Sequence, residues 1–383
     1  MPPVDPGENA IHGLVGQVAR ARREGRSVLG LHVGDPEFPT PKGIREAASR
    51  ALAAGATHYG PSQGLPSLRR AVAERWAAPH AIPADVDRVV VLPAKFAIFA
   101  ALLATIDPGD EVLFADPSYF FEGPIRLAGG RPVRVPLRDD HSLDLDALAE
   151  ALGPNARALL LVTPGNPTGR LLKRDELRAV GEIAQHRKVT LVSDETYSEL
   201  VFEGRHVALA GVTPSDVPVV TIGSFSKTYS MTGWRAGFAI APPEIAARLV
   251  RVVEHTITCV PPFVQEGCLW ALEHEAPEVE RLRGALRERR DVLLGALDDL
   301  PGVSYVHPDG AIYVFPRYDV GLGSAEVARL LLEEEGVAVA PGIAFGPRGE
   351  RHLRLAFTLP VQELEEAARR LGEFLERHGA ARG

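Results

Sequence analysis

Val219-Val220-Thr221-Ile222-Gly223-Ser224-Phe225-Ser226-Lys227-Thr228 is a β-branched run that stops on small hydroxyl residues and a lysine. β-Branched side chains suit the pleated, buried surface of a strand, and serine suits the start of a helix. The segment predicts a strand over Val219–Gly223 with Lys227 just past its carboxyl end. The same arrangement recurs upstream. Runs at Arg88–Leu92, Glu111–Phe114, Pro132–Val135, Ala158–Val162 and Val189–Ser193 read as strands, and Lys95–Thr105, Ser118–Leu127 and Asp175–His186 carry helical patterns between them. Strands alternating with helices predict an α/β fold: a mostly parallel sheet sandwiched by helices. Such sheets place their sites beyond the carboxyl ends of the strands.

Outward from this core the pattern changes. Two Gly- and Pro-rich loops, Gly34 to Gly43 and Tyr59 to Pro66, flank a helix near the start. After Arg235–Ile240 a long helical stretch begins near Pro243 and is expected to break at Pro277. Beyond Pro301, Val303–Val306, Ala311–Phe315, Val337–Val339 and His352–Phe357 read as strands, with helices at Ser324–Glu335 and Pro360–Arg377. We therefore expect a large domain over residues 46–275. A smaller α+β domain is expected from residues 276–383, packed with an N-terminal arm, residues 1–45.

Composition narrows the function classes. Of 383 residues 45% are apolar, enough for a sizeable core, and the net charge of -8 provides no basic stripe for nucleic acid. Cys259 and Cys268 have no cysteine or histidine cluster around them, so neither a zinc site nor a disulfide framework is expected. The longest apolar run, Phe96 to Ile106, is too short to span a bilayer, and no basic-then-apolar leader is read. A cytoplasmic location, with no membrane partner, is the expectation.

The residues that follow the strands carry the chemistry. Pro93-Ala94-Lys95 follows the first strand and Asp116-Pro117-Ser118-Tyr119 the second. Thr163-Pro164-Gly165-Asn166-Pro167-Thr168-Gly169 follows Ala158–Val162, and Ser193-Asp194-Glu195-Thr196-Tyr197 closes the next strand. Lys227 is followed by Gly233-Trp234-Arg235. An anion cradle, an aromatic, an amide, an acid, a phenol, a lysine and an arginine would thus share one rim.

At these residues the chain resembles the fold-type I PLP-dependent aminotransferases, the aspartate aminotransferase superfamily. Ser224-Phe-Ser-Lys227-Thr followed by Gly233-Trp-Arg235-Ala-Gly237 is similar to the family's lysine signature. Gly34-Asp-Pro-Glu-Phe-Pro-Thr-Pro41, Asn166-Pro-Thr-Gly169, Pro341-Gly342 and His352-Leu-Arg354-Leu match in the family's order, over almost the whole chain.

The resemblance implies pyridoxal 5'-phosphate (PLP) as cofactor, an L-amino acid and a 2-oxo acid as substrates, a ping-pong mechanism and a homodimer. It assigns the covalent link to Lys227, whose amine reacts only when neutral, a form favoured by desolvation and nearby cations. Asp194 would keep the pyridine nitrogen protonated. Asn166 and Tyr197 would bond the ring oxygen, and Tyr119 would stack on the ring. Ser224, Arg235 and the backbone of Ala94 and Lys95 would hold the phosphate. Relatives commonly carry glycines where this chain has Pro93-Ala94, and Pro93 has no N–H to give. Tyr59 resembles the tyrosine that reaches the phosphate of the partner subunit. Arg354 matches the α-carboxylate arginine, with Gly34 assisting through its backbone; Ala10, Ile11 and His12 would lie near the substrate side chain.

Rival readings have less behind them. Gly60-Pro61-Ser62-Gln63-Gly64 matches a hydrolase elbow, but a helical segment rather than a strand precedes it. Ser224-x-x-Lys227 lacks the companion motifs of penicillin-binding enzymes. The PLP β-lyases that cleave C–S bonds need the same lysine, aspartate and arginine, so these motifs leave that alternative open. A PLP-binding regulator would need a DNA-binding domain for which the two expected domains leave no room.

Overall fold

Seven strands form the central sheet of the computed structural model, which describes residues 10–83 and 85–380. In chain order they are β1 (Val89–Val91), β2 (Glu111–Asp116), β3 (Arg131–Pro136), β4 (Ala156–Val162), β5 (Thr190–Asp194), β6 (Val219–Ser224) and β7 (Gly237–Ile240). Their spatial order is β1-β7-β6-β5-β4-β2-β3. The pairs β3–β2, β2–β4, β4–β5 and β5–β6 are parallel, while β7 runs antiparallel to both β6 and β1. Residues 225–236, which join β6 to β7, hold only a four-residue helical turn and a 3-10 turn. No crossover helix is available there, so β7 returns antiparallel. The α/β class with a mostly parallel sheet read from the sequence is what the chain adopts.

Alternation along the strands feeds two cores. Leu160 of β4 points to the side covered by Ala97, Ile98 and Leu102 of helix Ala94–Thr105 and by Leu249 and Val253 behind it. Its neighbours Leu159 and Leu161 point the other way, onto Leu177, Val180 and Ala184 of helix Arg174–Arg187. Burial of both faces fixes the register and hence the height at which each strand ends.

The later part of the chain builds a third core. β8 (Tyr313–Val314), β9 (Ala340–Pro341) and β10 (Leu353–Ala356) form an antiparallel sheet with β10 in the middle. Helices Ala276–Asp298, Ser324–Glu335 and Val361–Ala380 contribute Leu286, Leu293, Leu331, Leu364 and Phe374 to this core. Leu29–Gly30 pairs in parallel with Val337–Ala338, and Leu14, Val18 and Ala21 pack on Leu332 and Ala338. The side chains of residues 10–12, and so the expectation placed on Ala10, Ile11 and His12, lie outside the described residues.

Two expected helices differ. The segment expected to be helical from Ser118 is helical only over Glu122–Leu127, because the Ser118 N–H bonds instead to the Phe345 carbonyl at 3.0 Å. The stretch from Pro243 divides into Pro243–Glu254, Pro262–His274 and Ala276–Asp298. Pro261-Pro262 cannot continue a helix, and Pro277 stands in the first turn of the last one. No helix among the described residues is long and apolar enough to cross a membrane.

Candidate active site

The carboxyl ends of β2, β4, β5 and β6 meet the amino end of helix Ala94–Thr105 around a cavity of about 250 Å³. Ala94, Lys95, Tyr119, Asn166, Asp194, Tyr197, Ser224, Lys227 and Arg235 line it from the central sheet. Gly34 and Arg354 close it from the side of β8–β10. Tyr59 is not among the lining residues; it is 89% exposed.

Lys227 sits in the turn Phe225–Thr228, started by Ser224, whose Oγ accepts the Ser226 N–H at 3.2 Å. Lys227 Nζ donates to the Gly34 carbonyl at 2.5 Å. Gly34 is required for that approach, since a Cβ there would lie 1.8 Å from Tyr313 Oη. Asp194, the last residue of β5, accepts the Thr196 N–H at 3.1 Å and its hydroxyl at 2.5 Å, both on Oδ1. Among the described residues its second oxygen has no hydrogen-bond partner. Burial pushes its carboxyl above the ordinary range, against the pull of the Thr196 bonds and of Lys227. A cationic group placed against it would reverse that cost.

The amino end of helix Ala94–Thr105 offers backbone N–H groups that no earlier turn satisfies. Pro93 stands one residue ahead of it, so the missing N–H lies outside the first turn. Gly237 keeps this end open: a Cβ there would lie 3.0 Å from Ala94 N and 2.7 Å from the Gly223 carbonyl. Lys95 is pulled below the ordinary lysine range by burial and then by the charge of Arg235. Arg235 holds a left-handed backbone with φ of 56° and donates to the Thr232 carbonyl at 2.6 Å.

Arg354 is 3% exposed. Nη1 donates to Asn166 Oδ1 at 3.2 Å and Nη2 to the His32 carbonyl at 2.5 Å, while Nε has no partner. The guanidinium lies 4.3 Å from the Tyr313 ring centroid and 5.0 Å from that of Phe345. Among the described residues, Lys95, Lys227, Arg235 and Arg354 line the cavity without an ion-pair partner, and Asp194 is its single carboxylate. The site therefore attracts anions.

Residues 26–371 match the family described as aminotransferase class I and II. The chain belongs to that family. Relatives agree: it is 37% identical to the arginine–pyruvate transaminase of Pseudomonas aeruginosa, over 91% of this chain and 90% of that one. It is 35% identical to aromatic-amino-acid aminotransferase 2 of Thermococcus litoralis, over 91% and 92%. The solved aspartate aminotransferase of Thermus thermophilus with maleate superposes with a TM-score of 0.91 at 33% identity, covering 96% of this chain and 97% of that one. The protein is thus an amino-acid aminotransferase, of a family that depends on PLP.

In this aminotransferase further residues line the cavity that the strand-end motifs did not mark. Tyr313 hydrogen-bonds the Tyr197 hydroxyl at 2.9 Å, and burial drives the Tyr197 phenol well above its usual range. His32 lines the cavity with its imidazole pushed down to about 4, by burial first and then by Arg354 and Arg22. Phe120 joins it beside Tyr119, whose phenol burial raises to about 12. Tyr313 stands in β8, whose neighbour β10 carries Arg354, a pairing that only the fold shows.

Proposed function

We propose that this aminotransferase holds PLP on Lys227 and moves an amino group from an L-amino acid to a 2-oxo acid in ping-pong order. One observation supports the reading: among the described residues, four cations without an ion-pair partner and a helix amino end surround a cavity whose single carboxylate, Asp194, has one oxygen with no hydrogen-bond partner. That donor set fits the group. Ser224, Arg235 and the N–H groups of Ala94 and Lys95 would take the phosphate, and Asp194 the protonated ring nitrogen. Asn166 and Tyr197 would take the ring oxygen, and Tyr119 would stack on the ring.

Bound there, PLP supplies an electron sink for the charge that develops at the substrate Cα. The chain's residues do the rest. Lys227 Nζ would take the proton from the substrate Cα and pass it to C4′ of the cofactor within the same half-reaction, and would carry it back from C4′ to Cα when the 2-oxo acid is processed. Arg354 orients the α-carboxylate with a planar fork that lysine cannot copy, and Gly34 leaves room for its backbone carbonyl beside Lys227. Tyr313 holds Tyr197 in place through their hydroxyls.

We further propose a cytoplasmic homodimer, with residues 46–275 as the PLP-binding domain and residues 1–45 and 276–383 as the smaller one. Tyr59, exposed in a loop whose Gly60 abuts Pro262, would complete the phosphate site of the partner subunit. Lys227→Ala tests the catalytic assignment: turnover should fall at least about 10³-fold while PLP still binds, given what covalent and general-base roles together contribute. Near-normal turnover would remove Lys227 from the mechanism.

A further inference from the structure

Arg134 lies outside the cavity, on the edge strand β3, yet its guanidinium grips a loop from the β8–β10 side of the fold. Nε donates to Glu122 Oε1 at 2.9 Å, and Nη1 donates to the Phe345 carbonyl at 3.0 Å while lying 3.7 Å from Asp116 Oδ1. The same carbonyl accepts the Ser118 N–H at 3.0 Å. Residues 116–122, which carry Tyr119 and Phe120, are thereby pinned to the 342–349 loop at one atom. Gly346 follows with φ of 127°, and a Cβ there would lie 2.1 Å from Asp116 Oδ1 and 2.3 Å from Arg134 Nη1. Only glycine permits this approach.

The pinned residue reaches the cavity through its side chain. Phe345 is fully buried and stacked on Phe120, with centroids 5.2 Å apart and planes 29° apart. Arg354 lies 5.0 Å from the Phe345 centroid, and its Nε makes no hydrogen bond. Two hydrogen bonds and two aromatic rings therefore fix the plane of that guanidinium, and one of the rings belongs to the residue whose backbone carbonyl Arg134 holds.

We infer that Arg134 is a positioning residue for substrate binding, clamping the Phe345 carbonyl so that the Phe345 ring sets the plane of Arg354. The inference rests on reading Arg354 as the group that binds the substrate carboxylate. Its test compares the PLP-loaded enzyme with Arg134→Met, Arg134→Lys, Phe345→Leu and the double variant Arg134→Met/Phe345→Leu, with Arg354→Lys alongside.

Arg134→Met should raise KM for both the amino acid and the 2-oxo acid about 3- to 10-fold, the net worth of about one ordinary hydrogen bond. Its kcat should stay within about twofold and its PLP content should be unchanged. Arg134→Lys should recover part of the loss, since it keeps the charge beside Asp116 and Glu122 but not the fork. In the Phe345→Leu background, Arg134→Met should add no further rise in KM.

A merely structural arginine would lower the unfolding temperature and leave KM alone; that outcome, or full additivity with Phe345→Leu, overturns the inference. Should Arg134→Met fail to fold, an unchanged KM in Arg134→Lys overturns it equally. An unchanged KM in Arg354→Lys would instead show that the carboxylate reading has failed.

Discussion

Replacing Gly34 with alanine adds one methyl group where the two halves of the site touch. The new Cβ would lie 1.8 Å from Tyr313 Oη, 2.5 Å from its Cζ and 2.7 Å from its Cε1. Carbon contacts relax only at about 3.5–4.0 Å, so the ring or the backbone must shift by roughly 1.5–2 Å. Neither shift is harmless. Moving the ring breaks the 2.9 Å bond to Tyr197 and withdraws it from Arg354, now 4.3 Å from its centroid. Moving the backbone takes the Gly34 carbonyl away from Lys227 Nζ. Overpacking of this size costs about 1–3 kcal/mol of stability, and misplacement near 1 Å at a reacting centre costs about 10²-fold in rate. Steady-state kinetics and thermal unfolding on one preparation should show kcat/KM lower by about 10²-fold in a protein that remains folded. A Gly34→Ala enzyme within about threefold of the parent would refute the claim that this contact sets the geometry.

His32, held down to about 4 from an ordinary 6.5, must be neutral in the fold, so its protonation favours the unfolded chain. Stability should therefore fall as the pH drops from about 6.5 towards 4, and His32→Asn should flatten that part of the unfolding profile; an unchanged slope would discount the assignment. Tyr59→Phe should weaken PLP binding by about 0.5–1.5 kcal/mol, the net worth of one hydrogen bond, and PLP retention should depend on protein concentration. A fully active monomer by light scattering that keeps its PLP on dilution would end the interface reading.

Much of this site was legible because it is local. Asp194 and Ser224 are the last residues of their strands, and Lys227 lies one turn beyond, so strand ends alone placed them together. Arg354 and Gly34 were legible only through motif resemblance, since nothing local says that a late strand and an early loop meet. Tyr313 and Phe345 escaped because they read as ordinary core residues: each is almost fully buried, and its role comes from Arg354 packing against it. Arg134 escaped for a similar reason, because an arginine on an edge strand reads as a solvated charge until the Phe345 carbonyl is found 3.0 Å away. The first break in the helical stretch after Pro243, over residues 255–261, is marked at its end by Pro261-Pro262, and periodicity simply ran past it.

If Lys227 carries PLP, covalent trapping should find the cofactor on it. The purified protein, loaded with PLP, is reduced with borohydride, digested and mapped by mass spectrometry. One stoichiometric pyridoxyl adduct per chain is expected, on the peptide containing Lys227, with no such adduct in Lys227→Ala. An adduct at Lys95 instead, or reduction that leaves the Lys227 peptide unmodified in an active enzyme, would contradict it.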